Sequence, residues 1–133
     1  MIHGVGIDIV SLARMRSLCK RHARRLGDGL FTENELHVAG LRRCIDSLEL
    51  SDESVAYLAG CFAAKEASVK AMGLGPAGFN WTDLDVSLSS GIEITLRGRA
   101  RDEAVRKKIG SLAGVCSYTD HHALALVVGE SAS

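Results

Sequence analysis

With 133 residues, 47% hydrophobic and 24% charged, and a single proline, the chain is sized for one small globular domain with a real core. Its 16 basic and 16 acidic side chains cancel, so bulk charge points to no polyanionic partner, and no apolar run approaches the ~20 residues of a membrane span. Cys19, Cys44, Cys61 and Cys116 lack zinc-site spacing and no charged-then-apolar leader precedes them, so packing thiols in a cytoplasmic chain are expected.

His3–Val10, HGVGIDIV, alternates like a strand, with Val5, Ile7 and Ile9 on one face and Gly4, Gly6, Asp8 and Val10 on the other. Glycines beside an acid leave room for something bulky to approach the backbone, and the plainer alternative is an edge strand with a solvated Asp. A basic helix follows from about Ser11, with Leu12, Met15, Leu18 and Cys19 as its apolar stripe, and Gly27-Asp28-Gly29 ends it. Six cations between Arg14 and Arg25 have no acid among them, which makes either a solvated face or a surface for an anionic partner. Thr32 and Glu35 in FTENEL stand at capping-box spacing and predict a helix start. A polar stretch from Asp46 to Glu53 leads into a long helix through LAGCFAAKEASVKAMGLG, with Gly73 as its C-cap. Gly73 to Gly78 matches GxGxxG only formally, because it follows a helix rather than a strand.

Leu84–Leu88 and Ile92–Leu96 alternate on either side of Ser89-Ser90-Gly91 and predict a hairpin. Arg99–Ile109 reads as an amphipathic helix. Val115–Tyr118 and the apolar run Ala123–Val128 then read as a central hairpin around a polar His121-His122 turn, and Trp81 reads as a core anchor. The order predicts an α+β fold, a single small domain with an antiparallel sheet packed against a long helix, spanning residues 1–130 with a short tail at 131–133.

Two acids stand out. Glu66 projects with Leu58, Ala59, Phe62 and Val69, at the middle of an apolar stripe flanked by Lys65 and Lys70, so it is neutral, paired, metal-bound or facing a cavity. Asp8 lies on the glycine-lined strand face, and a strand acid meeting a helix acid suits a hard cation such as Mg²⁺. Lys70, one turn after Glu66, offers a helix salt bridge as the alternative. Lysines beside the acid also suit phosphate.

GVGIDIV, FTENEL, LAGCFAAKEASVKAMGLG, WTDLDV and the terminal S-x-TD…A-x-A-x-VV, in this order from Gly4 to Val128, resemble the holo-acyl-carrier-protein synthases, short single-module 4′-phosphopantetheinyl transferases. The resemblance implies a phosphopantetheinyl transferase-like, homotrimeric α+β fold with active sites at subunit interfaces. It also implies Mg²⁺-dependent transfer of 4′-phosphopantetheine from coenzyme A to a serine of an acyl carrier protein, in fatty-acid or polyketide biosynthesis. By that resemblance Asp8 and Glu66 hold the metal, and Lys70 acts with them near the reacting phosphate. Lys65, Lys70, Gly73, Gly75 and Tyr118 contact coenzyme A, and Arg14, Arg21 and Arg24 meet the carrier protein; no nucleic acid or membrane is implied. Three departures stand against the family pattern: Cys61 for an arginine, Tyr118 for a histidine, and Gly91-Ile92-Glu93 for Gly-Lys-Pro. They open the alternative of a non-transferring homologue that binds a carrier protein or coenzyme A.

Overall fold

A computed structural model describes residues 1–22, 26, 29–41, 50–75 and 78–133. The strand β1 (Ile2–Ser11) runs into α1 (Leu12–Arg21), where Ser11 caps the helix by accepting the Arg14 N–H. The helix α2 (Glu33–Val38) begins with the full capping box, Thr32 and Glu35 satisfying each other's backbone N–H groups. The long α3 (Asp52–Met72) is capped by Ser51 and ends at Gly73, whose φ of 70° is the left-handed conformation that glycine adopts cheaply. After a 3₁₀ turn at Trp81–Asp83 come β2 (Leu84–Ser87), β3 (Glu93–Leu96), α4 (Gly98–Arg106), β4 (Ile109–Tyr118) and β5 (His122–Ser131).

The main sheet has the order β1-β5-β4, antiparallel throughout, and β2-β3 form a separate hairpin. The apolar run Ala123–Val128 is therefore the central strand, while β1 is an edge, as the plainer reading of HGVGIDIV held, although Asp8 is not the solvated acid of that reading. The fourth strand starts at Ile109, six residues before the expected Val115 and inside the expected helix. Lys108, at φ 59°, breaks the helix there, and the small-residue run Gly110 to Gly114 hides the strand alternation. Pairing continues to the C-terminal end, where Ser131 lies opposite Ile109 and the Ala132 N–H bonds Lys108 O.

One face of this sheet receives α3. A methyl at Gly4 or Gly6 would run into the carbonyl oxygens of Ala71 and Ala67, so the glycines let strand and helix backbones approach closely. The bulky neighbour predicted for the glycine face is the long helix. Because α3 lies between the sheet and α1, α2 and β2, it is buried nearly all round, including Leu58, Ala59, Cys61, Ala63, Ala64, Ala67 and Ala71. The opposite sheet face is apolar and uncovered. Ile7, Leu126 and Val115 form one cross-strand row, with Val5–Val128–Ala113 and Ile9–Leu124 beside it. Ile7, Ile9 and Val115 are each more than half exposed.

Candidate active site

The site forms where the inward face of β1 meets the C-terminal half of α3. Asp8 projects inward because it shares strand parity with Gly4 and Gly6, and its side chain is 12% exposed. Lys70 donates to Asp8 Oδ1 at 3.1 Å and to the Ile7 carbonyl at 2.9 Å. The other Asp8 oxygen, Oδ2, is buried without a hydrogen-bond partner. Glu66 stands beside Asp8. Burial, then the charge of Asp8 and a hydrogen bond with it, push the Glu66 carboxyl up to about 7, while Lys70 and Arg14 pull it back. Two ionised carboxylates have no proton to share, so Asp8 Oδ2 gains a partner only when Glu66 is protonated or a cation sits between them.

The alternative, a Glu66–Lys70 helix pair, is not what forms. Lys70 crosses to β1 and bonds Asp8. The apolar-stripe reading of Glu66 also needs correction. Its sector is buried at Leu58 and Ala59 but half-open at Phe62, Glu66 and Val69, and the fully buried side carries Ala64, Lys65 and Ser68. The acid is half-buried and opens onto a cleft of about 640 Å³. Asp8, Glu66, Phe62, Arg14 and Arg21 line that cleft together with the start of α1. Arg24 lies outside the described residues, as do Cys44, Pro76 and Ala77.

Lys65 does not reach this cleft, contrary to its expected contact with coenzyme A. Its side chain has no exposed surface, and Nζ bonds Glu35 Oε1 at 2.7 Å, Leu30 O at 2.7 Å and Trp81 O at 3.0 Å. Those three acceptors use all three ammonium donors. Glu35, equally buried, also accepts the N–H groups of Thr32 and Val86. Burial pushes the Glu35 carboxyl up and the Lys65 amine down, each opposed by its partner. The donor and acceptor count is that of an ion pair. Sequence pattern assigned Glu35 only to the capping box, and nothing in periodicity signals its second role.

The remaining expected contacts lie apart from the cleft. Gly73 and Gly75 sit at the end of α3, where Lys107 Nζ donates to Gly73 O at 3.2 Å. Tyr118, 45% exposed at the end of β4, packs its hydroxyl over Gly60, where a side chain would meet it. Cys61 is buried beside Tyr57, and burial raises its thiol so that it stays protonated at neutral pH. His121 and His122 occupy the expected turn, where the Thr119 hydroxyl accepts both backbone N–H groups. Trp81 packs edge-on to Phe79 and tilted against Phe62, but it is half-buried in a 3₁₀ turn at the rim rather than the core anchor expected.

The carboxylate pair fits a small hard cation. Both donors are oxygens, one of them orphaned, and among the described residues no third His, Cys, Asp or Glu joins them. Mg²⁺ is commonly held in this way, by one or two carboxylates with water and substrate phosphates completing the shell.

Residues 4–127 match the model of the 4′-phosphopantetheinyl transferase superfamily. The chain belongs to this superfamily. A holo-[acyl-carrier-protein] synthase of Alkalilimnicola ehrlichii is 40% identical, with 98% of each chain covered. Among solved structures, the Neisseria meningitidis synthase superposes with a TM-score of 0.80 at 28% identity, over 98% of this chain and all of the other. The Bacillus anthracis synthase, solved in complex with CoA (3′,5′-ADP), gives 0.73 at 28% identity over 99% of each chain. The protein is thus an enzyme, a phosphopantetheinyl transferase, and no helix among its described residues is long and apolar enough to cross a membrane.

Proposed function

We propose that this phosphopantetheinyl transferase moves the 4′-phosphopantetheine group of coenzyme A onto a serine hydroxyl of an acyl carrier protein, using Mg²⁺ held by Asp8 and Glu66. The observation that carries the reading is a buried Asp8 oxygen without a partner, on an acid that interacts with Glu66 in a cleft that also presents Arg14 and Arg21. The coenzyme A bound to the Bacillus anthracis relative supports the choice of donor.

In the reaction the serine oxygen bonds to the phosphorus that carries pantetheine, and the bond from that phosphorus to adenosine 3′,5′-bisphosphate breaks. The bound Mg²⁺ would neutralise charge on the pyrophosphate oxygens. Lys70, with its ammonium half-exposed, swings from Asp8 to a phosphate oxygen and adds a second positive charge. Glu66, which lines the same cleft as Arg14 and Arg21, takes the serine proton. Arg14 and Arg21, with Arg24, meet the acidic surface of the carrier protein and steer it to the cleft.

The enzyme works as a homotrimer in the cytoplasm. The uncovered apolar sheet face supports self-association, since monomers rarely expose such a contiguous patch. Cys19, Cys61 and Cys116 are free thiols, in keeping with a reduced compartment. Gly73, Gly75 and the half-exposed Tyr118 lie off their own chain's cleft and would contact coenzyme A at a neighbouring subunit's site. The non-transferring alternative rested on Cys61, Tyr118 and Gly91-Ile92-Glu93 replacing polar residues of the family pattern, and none of these lines the chain's own cleft, where both acids are retained.

The test incubates the full chain with coenzyme A, Mg²⁺ and apo carrier proteins from fatty-acid and polyketide synthesis, followed by mass spectrometry. A phosphopantetheine adduct that EDTA prevents is expected. No adduct on any carrier, or undiminished transfer in EDTA, would overturn the reading.

A further inference from the structure

Two side chains with no exposed surface, Glu35 and Lys65, take no part in the reaction above, yet they sit immediately behind it. Lys65 precedes Glu66 in α3, so the two project about 100° apart on the same helical turn. While Glu66 faces Asp8, Lys65 reaches the other way and ties α3 to the loop before α2 at Leu30, to α2 through Glu35, and to the 3₁₀ turn through Trp81 O. Glu35 extends the tie to β2 through the Val86 N–H at 2.7 Å. On the far side, Gly4 and Gly6 bring β1 against the α3 backbone at Ala71 and Ala67. The helix is held between a directional polar contact and a close backbone contact.

A buried ion pair is a poor choice if adhesion is all that is needed, because apolar residues of similar volume commonly stabilise as well or better. What it adds is direction. Three donors on fixed carbonyl and carboxylate acceptors define the rotation of α3 about its axis, which packed alanines do not. A carboxylate lies ~6 Å from its helix axis, so a rotation of about 15° moves it ~1.5 Å. Displacement by about 1 Å at a reacting centre costs on the order of 100-fold in rate. Trp81 adds a second link, because the residue whose carbonyl anchors Lys65 also packs its ring on Phe62, a wall of the cleft.

We infer that Glu35 and Lys65 are positioning residues, which set the rotation of α3 so that the Glu66 carboxylate meets Asp8. The inference rests on the metal reading of that carboxylate pair. The test uses Mn²⁺ as a probe cation, titrated by electron paramagnetic resonance into wild type, Glu66→Gln and the double variant Glu35→Gln/Lys65→Met. The double variant removes both charges, so neither is left buried alone. A cooperative melt is expected from it, with Mn²⁺ affinity and kcat each down at least tenfold and the KM for carrier protein unchanged. A lowered melting temperature with wild-type Mn²⁺ affinity and kcat would mean a purely structural role and would overturn the inference. If the double variant gives no cooperative melt, Gly6→Ala decides, since it displaces α3 from the opposite side; wild-type Mn²⁺ affinity in that variant overturns the inference. Wild type and Glu66→Gln binding Mn²⁺ equally would instead sink the metal reading, and this inference with it.

Discussion

Replacing Glu66 by Gln asks whether this acid is a liability that a cation relieves or one half of an ordinary ion pair. Its carboxyl sits near 7 rather than the usual 4.5, chiefly through burial and then through Asp8. A folded-state pKa above the unfolded one contributes stability that is complete below about 4.5 and lost as pH rises through about 7. The full gap would be worth ~3 kcal/mol for a group sealed from solvent. Glu66 is half-open to the cleft, and screening cuts the figure to ~1 kcal/mol, or ~3–4 °C in Tm for a domain of this size. Thermal melts in EDTA between pH 5 and 8.5 should therefore show wild type losing that much relative to Glu66→Gln, with the variant more stable at pH 8. Adding Mg²⁺ at pH 8 should restore wild type and leave the variant unmoved. If Glu66→Gln is instead the less stable protein at pH 8 without metal, a nearby cation already satisfies the carboxylate, and the argument from an uncompensated acid pair fails.

Asp8→Ala should lower transfer at least ~100-fold at saturating Mg²⁺ while circular dichroism stays that of the wild type, because the orphaned oxygen is lost and β1 is not. Arg14→Glu with Arg21→Glu should raise the KM for carrier protein about tenfold and leave that for coenzyme A unchanged, and 0.5 M salt should reproduce the effect in wild type. Gly6→Ala forces a methyl against the Ala67 carbonyl and should cost ~1–3 kcal/mol in chemical denaturation.

How much of this was legible beforehand depended on whether the determining contact was local. The capping box at Thr32–Glu35, the Ser11 start of α1 and the Gly73 stop of α3 are settled within a few residues, and each lies where the sequence places it. Alternation divided β1 into its two faces correctly, but hydrophobicity alone would send Val5, Ile7 and Ile9 inward. They point out, because the close approach of α3 requires the face without side chains at Gly4 and Gly6. The same enclosure misled the reading of α3. A helix packed on nearly every side has no single apolar stripe, so its periodicity could not rank Lys65 and Glu66 by depth. Lys65 is the buried one, held by Glu35 from thirty positions upstream, a distance over which no pattern rule operates. What did find Asp8 and Glu66 was a demand for compensation rather than a period: an acid that cannot face water freely must have something to face. Glu66 was found on that ground, Asp8 on the glycine-lined strand face was the partner it called for, and the two meet in the cleft. Lys65 is subject to the same demand, and the demand is met by carbonyls and a carboxylate that only the fold brings within reach. For a buried charge the sequence can pose the question of its partner, but the answer is local only when the partner lies within a helical turn.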